Sequence, residues 1–334
     1  MQERLKEPYR LLSKRISTRL RYHHWDGEAL NKIIFDEFII ESTDEKSPSC
    51  QIKKNRDEFS IPIHEIFEAQ TCISILSLLT NKLIVFSKYD KQNNETVFDV
   101  TINNGIFEEI VNIKPQLESL LHIDSSLFIP YICSAQRFYE SITLDKQDAS
   151  KYSMAFASLV YSIESLANVA YENRSWHKRE RFVRFVENNV HSPRFSNGEI
   201  RQLEFTGRQK DTNLVFRELL NQSYMFRNDY VHAGKILSTL SRLADGLSMA
   251  FVSNDQVAVF PSHSWLRRVT NLALINFLND QPHKGENHLS TYFEPYKSVE
   301  FKGRRTIQRG EMLDENAVYL QLLSDDFFSN RKRF

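Results

Sequence analysis

The stretch Phe226-Arg227-Asn228-Asp229-Tyr230-Val231-His232-Ala233-Gly234 closes a long amphipathic pattern that begins at residue 212. Glycine directly after the last periodic residue is a common helix stop, because it adopts positive φ without a Cβ clash. We therefore predict one helix over 211–233 that ends at Gly234. Arg227 and His232 are five positions apart, roughly 140° around a helix of 3.6 residues per turn. Fraying at the glycine would let His232 swing toward a groove that Arg227 also reaches.

The polar groups of this stretch suit RNA cleavage by the ribose 2′-hydroxyl. The imidazole of His232 exchanges protons near neutral pH. The guanidinium of Arg227 keeps its charge, and its donor fork fits phosphate oxygens and stabilises charge that builds on phosphorus. Asn228 can hydrogen-bond the phosphate or hold the imidazole tautomer, and Asp229 can orient Arg227 or His232. The reaction needs no metal, the sequence shows no metal-ligand cluster, and we expect no cofactor.

The spacing of Arg and His is by itself weak evidence for a site. Arg19 and His24 repeat the same spacing by chance. Asn directly after Arg227, and the position of the pair at the end of a late helix, distinguish the second occurrence from the first. A structural role, in which His232 interacts with the helix dipole, remains an alternative from the residues alone.

Composition bounds the class of protein. The chain has 334 residues, enough for two domains, with 41% hydrophobic and 26% charged residues, which is ordinary for a globular protein. Its formal net charge is zero, so only local clusters could bind nucleic acid. Three scattered cysteines without a C-x-x-C pair argue against disulfides and zinc. With neither an apolar leader nor a membrane-length apolar run, we expect a cytoplasmic protein without membrane contact.

We predict an α+β protein of three parts. Residues 1–122 form a mixed α/β region, 123–282 an all-α helical region, and 283–334 a C-terminal extension. In the first part we expect a basic amphipathic helix over 2–20, a strand over 32–40, a loop over 43–57, a hairpin of strands over 82–89 and 95–101, and helices over 63–79 and 107–121. In the second part we expect helices over 126–144, 148–172, 175–190, 211–233, 237–252 and 264–278.

A basic run follows the second long helix of the all-α region. It contains Arg174, His177, Lys178, Arg179, Arg181 and Arg184. These cations could bind RNA phosphates. The alternative is an ordinary solvated helix face, because Glu180 and Glu187 are interleaved with the cations.

The arrangement resembles a HEPN domain (the higher eukaryotes and prokaryotes nucleotide-binding superfamily). Ribonucleases of that superfamily carry Arg, a polar residue that is often Asn, a few residues and then His near the end of a late helix, as Arg227-Asn228-Asp229-Tyr230-Val231-His232 does here. The preceding helix, with Leu159-Val160-Tyr161-Ser162-Ile163-Glu164-Ser165-Leu166, resembles the ApeA-like HEPN subgroup. That subgroup ends its motif Val-His-Gly, whereas Ala233 is inserted here before Gly234. The resemblance covers residues 125–282.

The resemblance implies a helical bundle that forms a homodimer, with a composite site at the interface. It implies a metal-independent endoribonuclease acting in anti-phage defence, abortive infection or a toxin system. Arg227 and His232 carry over as catalytic and Asn228 as supporting, with weaker support for Glu164 and Asn168, one turn apart on the preceding helix. We expect alanine at Arg227 or His232 to abolish cleavage while leaving the fold intact.

Two other functions stay open. The helical part could be a non-catalytic dimerisation or nucleotide-binding scaffold, as in superfamily members that lack the motif. The protein could also hold a partner through the helix predicted over 2–20. In the endonuclease, the N-terminal region would sense a trigger, such as a phage product, or restrain the nuclease.

Overall fold

Most of the described chain is helical, with two small antiparallel sheets. The computed structural model describes residues 32–36, 38–42, 50–55, 62–92, 95–101, 110–147, 151–191, 193–208, 211–236, 246–253 and 256–289. The helix predicted over 2–20 and residues 290–334 of the predicted C-terminal extension lie outside these ranges. No helix among the described residues is long and apolar enough to cross a membrane.

The larger sheet has five strands in the order β1-β2-β3-β5-β4, and every neighbouring pair is antiparallel. The strands are β1 Lys32–Phe35, β2 Phe38–Ser42, β3 Cys50–Asn55, β4 Val85–Gln92 and β5 Glu95–Thr101. The predicted hairpin over 82–101 is confirmed. The single strand predicted over 32–40 is instead a hairpin, since Asp36 turns the chain at φ 53°. The loop predicted over 43–57 contains β3, because Ile52 is buried on the core face of the sheet.

Eight helices with defined ends occur among the described residues. They are α1 Pro62–Thr80, α2 Lys114–His122, α3 Ser125–Gln147, α4 Tyr152–Ala170, α5 Lys178–Asn189, α6 Asn197–Phe205, α7 Thr212–Ala233 and α8 His263–Asn279. Helix α4 is central, because it contacts α3, α5, α7 and α8. It buries apolar residues at spacings of three and four, such as Phe156, Leu159, Ile163 and Leu166, as a helix enclosed by neighbours requires.

One buried apolar cluster runs through the sheet, α1 and the helices around α4. Ile33 and Phe35 of β1 belong to it, as do Ile75 of α1 and Trp265 of α8. Asn271 of α8 also donates from Nδ2 to the carbonyl oxygen of Leu78 at 2.5 Å, which joins α8 to α1. The helices that carry the candidate site therefore pack on a continuous core.

The helical part is not all-α, which corrects the prediction for residues 123–282. Over 248–252 the predicted helix is wrong, because β6 Ser248–Ser253 pairs antiparallel with β7 Gln256–Phe260; residues 237–245 lie outside the described ranges. The valine-rich run after Asn254-Asp255 is typical of a strand that follows a polar turn, and pairing with that strand makes 248–253 a strand although its apolar spacing also fits a helix.

Helix α6 lies where we had predicted no element. Ser196 accepts from the backbone N of Glu199, and Glu199 Oε2 accepts from the backbone N of Ser196 at 2.7 Å. This reciprocal capping box is visible in the sequence as Ser-x-x-Glu, so the signal for α6 was present.

Candidate functional site

Helix α7 is regular along its whole length, and this fixes where the motif residues point. Asp211 caps its start by accepting from the backbone N of Leu214 at 3.0 Å. Gly234 ends it in the left-handed conformation with φ 65°, as predicted. The helix continues through Ala233, so the last turn does not fray to bring His232 toward Arg227.

Arg227 points into the protein and is bound on two sides. Its Nη2 donates to Glu164 Oε2 of α4 at 2.5 Å, and its Nη1 donates to Asn228 Oδ1 at 2.6 Å. The side chains of Arg227 and Glu164 are 11% and 7% exposed. The structure thus places Glu164 and Asn228 against Arg227, where they fix the plane of its guanidinium. The Nε donor of Arg227 is buried without a hydrogen-bond partner among the described residues.

Two tyrosines complete the surroundings of the guanidinium. The Cζ atom of Arg227 lies 4.3 Å from the ring centroid of Tyr161 and 5.4 Å from that of Tyr224, both within cation–π range. The hydroxyl of Tyr224 donates to Glu164 Oε1 at 3.1 Å. Burial, together with the Glu164 carboxylate, raises the pKa of Tyr224 to about 12, so its hydroxyl remains a donor at neutral pH. Both oxygens of Glu164 are therefore engaged.

His232 lies on the outer side of the same helix. The residue is exposed and forms no hydrogen bond or ion pair within the part of the chain that the structure describes. Its imidazole is therefore available to a ligand or to another protein chain. The inward Arg227 and outward His232 agree with their roughly 140° separation on a regular helix.

The other two predicted supporting residues do not contact Arg227 in the way the motif suggested. Asp229 forms an ion pair with Lys235, at 3.0 Å between Oδ2 and Nζ, and both side chains are at least half exposed. Asn168 lies one turn beyond Glu164, and its backbone oxygen accepts from Arg181 Nη1 at 3.2 Å. The Oδ1 atom of Asn168 is buried without a partner among the described residues.

The basic run divides into two groups. Arg181 is structural, because its guanidinium donates to the carbonyl oxygens of residues at the end of α4 and in the following turn. Arg184 donates from Nε to Glu180 Oε1 at 2.8 Å. In contrast, Arg174, Lys178 and Arg179 are exposed and form no ion pair within the described residues. Three of the five predicted RNA-binding cations are thus free to meet a phosphate.

Sequence reasoning missed Tyr161 and Tyr224. Each lies three positions before a partner of the buried pair, Tyr161 before Glu164 and Tyr224 before Arg227. Residues three apart share a helix face, so this spacing was the available signal.

Other candidate sites are weaker. Two shallow clefts, of about 390 and 460 Å³, lie beside the 193–197 loop, and neither is lined by Arg227 or His232. Within the described ranges, no three His, Cys, Asp or Glu side chains are grouped to hold a metal ion. The motif at the end of α7, with its ordered side-chain contacts, is therefore the best-supported candidate site among the described residues.

Comparison with known proteins adds no assignment. No protein-family model matches the chain. No curated protein and no solved structure matches it at a significant level. The likeness to HEPN domains accordingly rests on the residues of α4 and α7.

Proposed function

We propose that this chain is a metal-independent RNA endonuclease of the HEPN type, with Arg227 and His232 as its catalytic groups. The observation that carries the proposal is the contrast between these two residues at the end of α7. Arg227 is held by Glu164, Asn228 and two tyrosine rings, while His232 is exposed and unpaired within the described residues. A fixed cation and an accessible proton carrier are what 2′-hydroxyl cleavage uses.

The proposed reaction is a transfer at phosphorus. The ribose 2′-oxygen loses its proton and forms a bond to phosphorus, and the bond from phosphorus to the 5′-oxygen breaks as that oxygen gains a proton. His232 acts on one of these two protons. Arg227 stabilises the negative charge on the phosphate oxygens, and Asn228 supports it. The products are a 2′,3′-cyclic phosphate and a 5′-hydroxyl.

A homodimer would complete the site. Leu214, Met225 and His232 share one side of α7, because they are separated by close to whole numbers of turns. Leu214 and Met225 are each 52% exposed, and Val231 nearby is 43% exposed. A second copy that covers this apolar surface would enclose His232 and exclude water from it. We further propose a role in anti-phage defence, abortive infection or a toxin system, with the N-terminal region as the part that senses a trigger.

One observation favours the alternative of a non-catalytic scaffold. The guanidinium of Arg227 is nearly buried and already has an anionic partner in Glu164. A buried ion pair of this kind also serves to register two helices, with no reaction involved. The scaffold would keep the Arg227 contacts and make no use of the exposed imidazole of His232.

The test is cleavage of total RNA in the presence of EDTA, with typing of the product ends. We compare wild type with His232→Ala and with His191→Ala, a matched control at another exposed histidine. The proposal expects cyclic phosphate ends from wild type and the control, and loss of at least about a hundredfold in rate for His232→Ala. Equal cleavage by all three proteins would contradict the proposal that His232 is catalytic. No cleavage by any of them would favour the scaffold.

A further inference from the structure

We propose that the turn between α4 and α5 is a binding surface for single-stranded RNA. We call it the Trp176 turn and define it by Arg174, Trp176, His177, Lys178 and Arg179. This inference deepens the proposed function and rests on it, because it names the form of RNA that reaches Arg227 and His232.

The Trp176 turn presents three exposed cations, beside one exposed carboxylate at Glu172. Arg174, Lys178 and Arg179 are exposed, and within the described residues none of them forms an ion pair. The neighbouring carboxylate of Glu180 is occupied by Arg184 and Arg217, at 2.8 Å from each. Burial alone would raise the pKa of Glu180, but these hydrogen bonds outweigh it and hold the pKa below its ordinary value. The acid inside the basic run therefore does not compensate the three exposed cations.

Trp176 gives the turn an aromatic platform. The Cζ atoms of Arg174 and Arg184 lie 5.7 and 5.9 Å from the centroid of the Trp176 ring, and Tyr171 meets that ring edge-on at 5.4 Å. Trp176 is half-buried, so an unpaired base would stack on its ring in place of one of these guanidinium groups, and guanidinium planes stack on bases as well. An aromatic ring among exposed cations is the combination that binds single strands without reading their sequence.

The backbone of the turn is held in place by Arg181. Its Nε donates to the carbonyl oxygen of Trp176 at 3.1 Å, and its Nη2 donates to that of Arg174 at 2.9 Å. Its Nη1 donates to the carbonyl oxygen of Asn168 at the end of α4. The platform and the cations are therefore ordered before RNA arrives, which lowers the entropy cost of binding. Because the guanidinium donors of Arg181 are occupied by these carbonyl oxygens, Arg181 is not available to bind phosphate.

The residues that anchor the Trp176 turn and Arg227 are neighbours on α4. Asn168, which anchors the turn through Arg181, lies one helical turn from Glu164, which anchors Arg227; one turn is about 5.4 Å of rise. The ring of Phe182 in the first turns of α5 also lies 5.6 Å from the ring of Tyr224. The Trp176 turn and the Arg227 side chain are thus anchored to the same part of the helical core.

Single-stranded RNA fits this surface better than a duplex does. In a duplex the base faces are stacked on one another and cannot reach Trp176, and shape recognition of duplex RNA needs a surface that spans many base pairs. The Trp176 turn is short, with its cations within six residues of sequence. It suits a few nucleotides with at least one unstacked base.

The experiment measures binding of a labelled oligouridine by fluorescence anisotropy across a salt series, with EDTA present. Every protein is the full chain with His232→Ala, so that the RNA stays intact. The variants are Trp176→Leu, which keeps an apolar side chain but removes the stacking face, and the pair Lys178→Gln with Arg179→Gln, which removes exposed charge. Arg201→Gln is the matched control, since Arg201 is an exposed cation on α6. A duplex RNA of equal length is the competing ligand, and circular dichroism checks the fold of each variant.

We expect Trp176→Leu to weaken oligouridine binding by about fivefold or more, the loss of one stacked base. We expect the double variant Lys178→Gln with Arg179→Gln to lower the slope of the logarithm of the binding constant against the logarithm of the salt concentration by about 1.4. Each phosphate contact on a single strand contributes about 0.7 to that slope. Arg201→Gln should bind as the parent does. Unchanged binding and slope in the charge variant would overturn the proposal, as would a duplex that binds as tightly as the single strand.

The outcomes separate this surface from the catalytic proposal. If single strands bind through the Trp176 turn and wild type does not cleave, the surface stands and the endonuclease fails. If cleavage by wild type depends on His232 while the turn variants bind oligouridine as their His232→Ala parent does, the endonuclease stands and this surface fails. Binding of an acidic peptide in place of the oligouridine, with the same dependence on Trp176, would overturn RNA as the ligand.

Discussion

Glu164 and Arg227 form a nearly buried ion pair that joins the middle of α4 to the last turns of α7. Glu164 is held at its second oxygen by Tyr224, and Arg227 is held at its second terminal nitrogen by Asn228. The pair thus links the central helix of the bundle to the helix that carries His232. Its energetics decide which variants can test function without unfolding the protein.

Alanine at Arg227 should destabilise the fold. The Glu164 carboxylate would remain buried without its cation, and breaking one side of a buried pair costs about 3–5 kcal/mol. We expect a loss of that size in the free energy of unfolding of Arg227→Ala, measured by urea denaturation. His232→Ala should change it by less than about 0.5 kcal/mol, because His232 is exposed and unpaired within the described residues.

The control for this prediction replaces both partners. Glu164→Leu combined with Arg227→Met should recover most of the stability lost in Arg227→Ala, since apolar replacement of a buried pair is often neutral. A loss below about 1 kcal/mol in Arg227→Ala would show that the pair is solvated in solution. The sequence led us to expect that alanine at either motif residue leaves the fold intact. The exposure of His232 predicts the same for His232→Ala, whereas the burial of Arg227 predicts a destabilised fold for Arg227→Ala.

Asp229 should be dispensable, although it lies inside the motif. Its partner is Lys235, and side-chain exposures of 50% and 67% make their ion pair a surface one. Exposed pairs of this kind contribute about 0–1 kcal/mol. We expect Asp229→Asn to keep the wild-type rate of RNA cleavage and nearly the wild-type melting temperature. A hundredfold loss of rate in a folded Asp229→Asn protein would instead assign Asp229 a role with Arg227 or His232.

Tyr224 should act as a positioning residue for Arg227 through Glu164. Tyr224→Phe keeps the ring near the guanidinium but removes the donor to Glu164 Oε1, which leaves one buried carboxylate oxygen unpaired. Such a loss costs about 1–3 kcal/mol. We expect lower stability by that amount, with cleavage reduced through kcat more than through KM. Tyr230→Phe, at a half-buried tyrosine one turn from the helix end, serves as the matched control.

Helix periodicity alone was enough to predict most of the bundle. Helices α3, α4, α5, α7 and α8 all overlap ranges expected from apolar spacing, since each has a buried stripe. The hairpin β6–β7 was not predicted, because Phe251 and Val252 fit a helical stripe as well as a strand. Only the pairing with residues 256–260, a tertiary contact, decides between them.

The sequence predicted four residues of the candidate site but neither its two tyrosines nor its contacts. Arg227, Asn228, His232 and Glu164 could be named from spacing and resemblance. The engagement of both Glu164 oxygens could not, because it depends on how α4 and α7 approach each other. Likewise nothing in the run from Arg174 to Arg184 distinguishes Arg181, which binds backbone carbonyls, from the exposed Lys178 and Arg179.

The link between α5 and α7 should make the fold sensitive to acid. Arg217 of α7 donates to Glu180 and Glu187 of α5, each at 2.8 Å. Burial opposes the charge of Glu180, but the hydrogen bonds from Arg184 and Arg217 prevail and lower its pKa. A carboxyl with a lowered folded pKa stabilises the fold above its unfolded pKa of about 4.3, and this stability is lost as pH falls through the folded value.

We therefore expect the melting temperature of wild type to fall steeply as the pH drops below about 4.3. Glu180→Gln should melt lower than wild type at pH about 7 and show a shallower fall below pH about 4.3, because it has no carboxyl to protonate there. Glu118→Gln is the matched control, since Glu118 is 59% exposed and lies 3.6 Å from Lys114 on α2. Its profile should follow that of wild type. Identical acid slopes for Glu180→Gln and wild type, measured by thermal circular dichroism across pH, would show that the α5–α7 link does not set the acid stability.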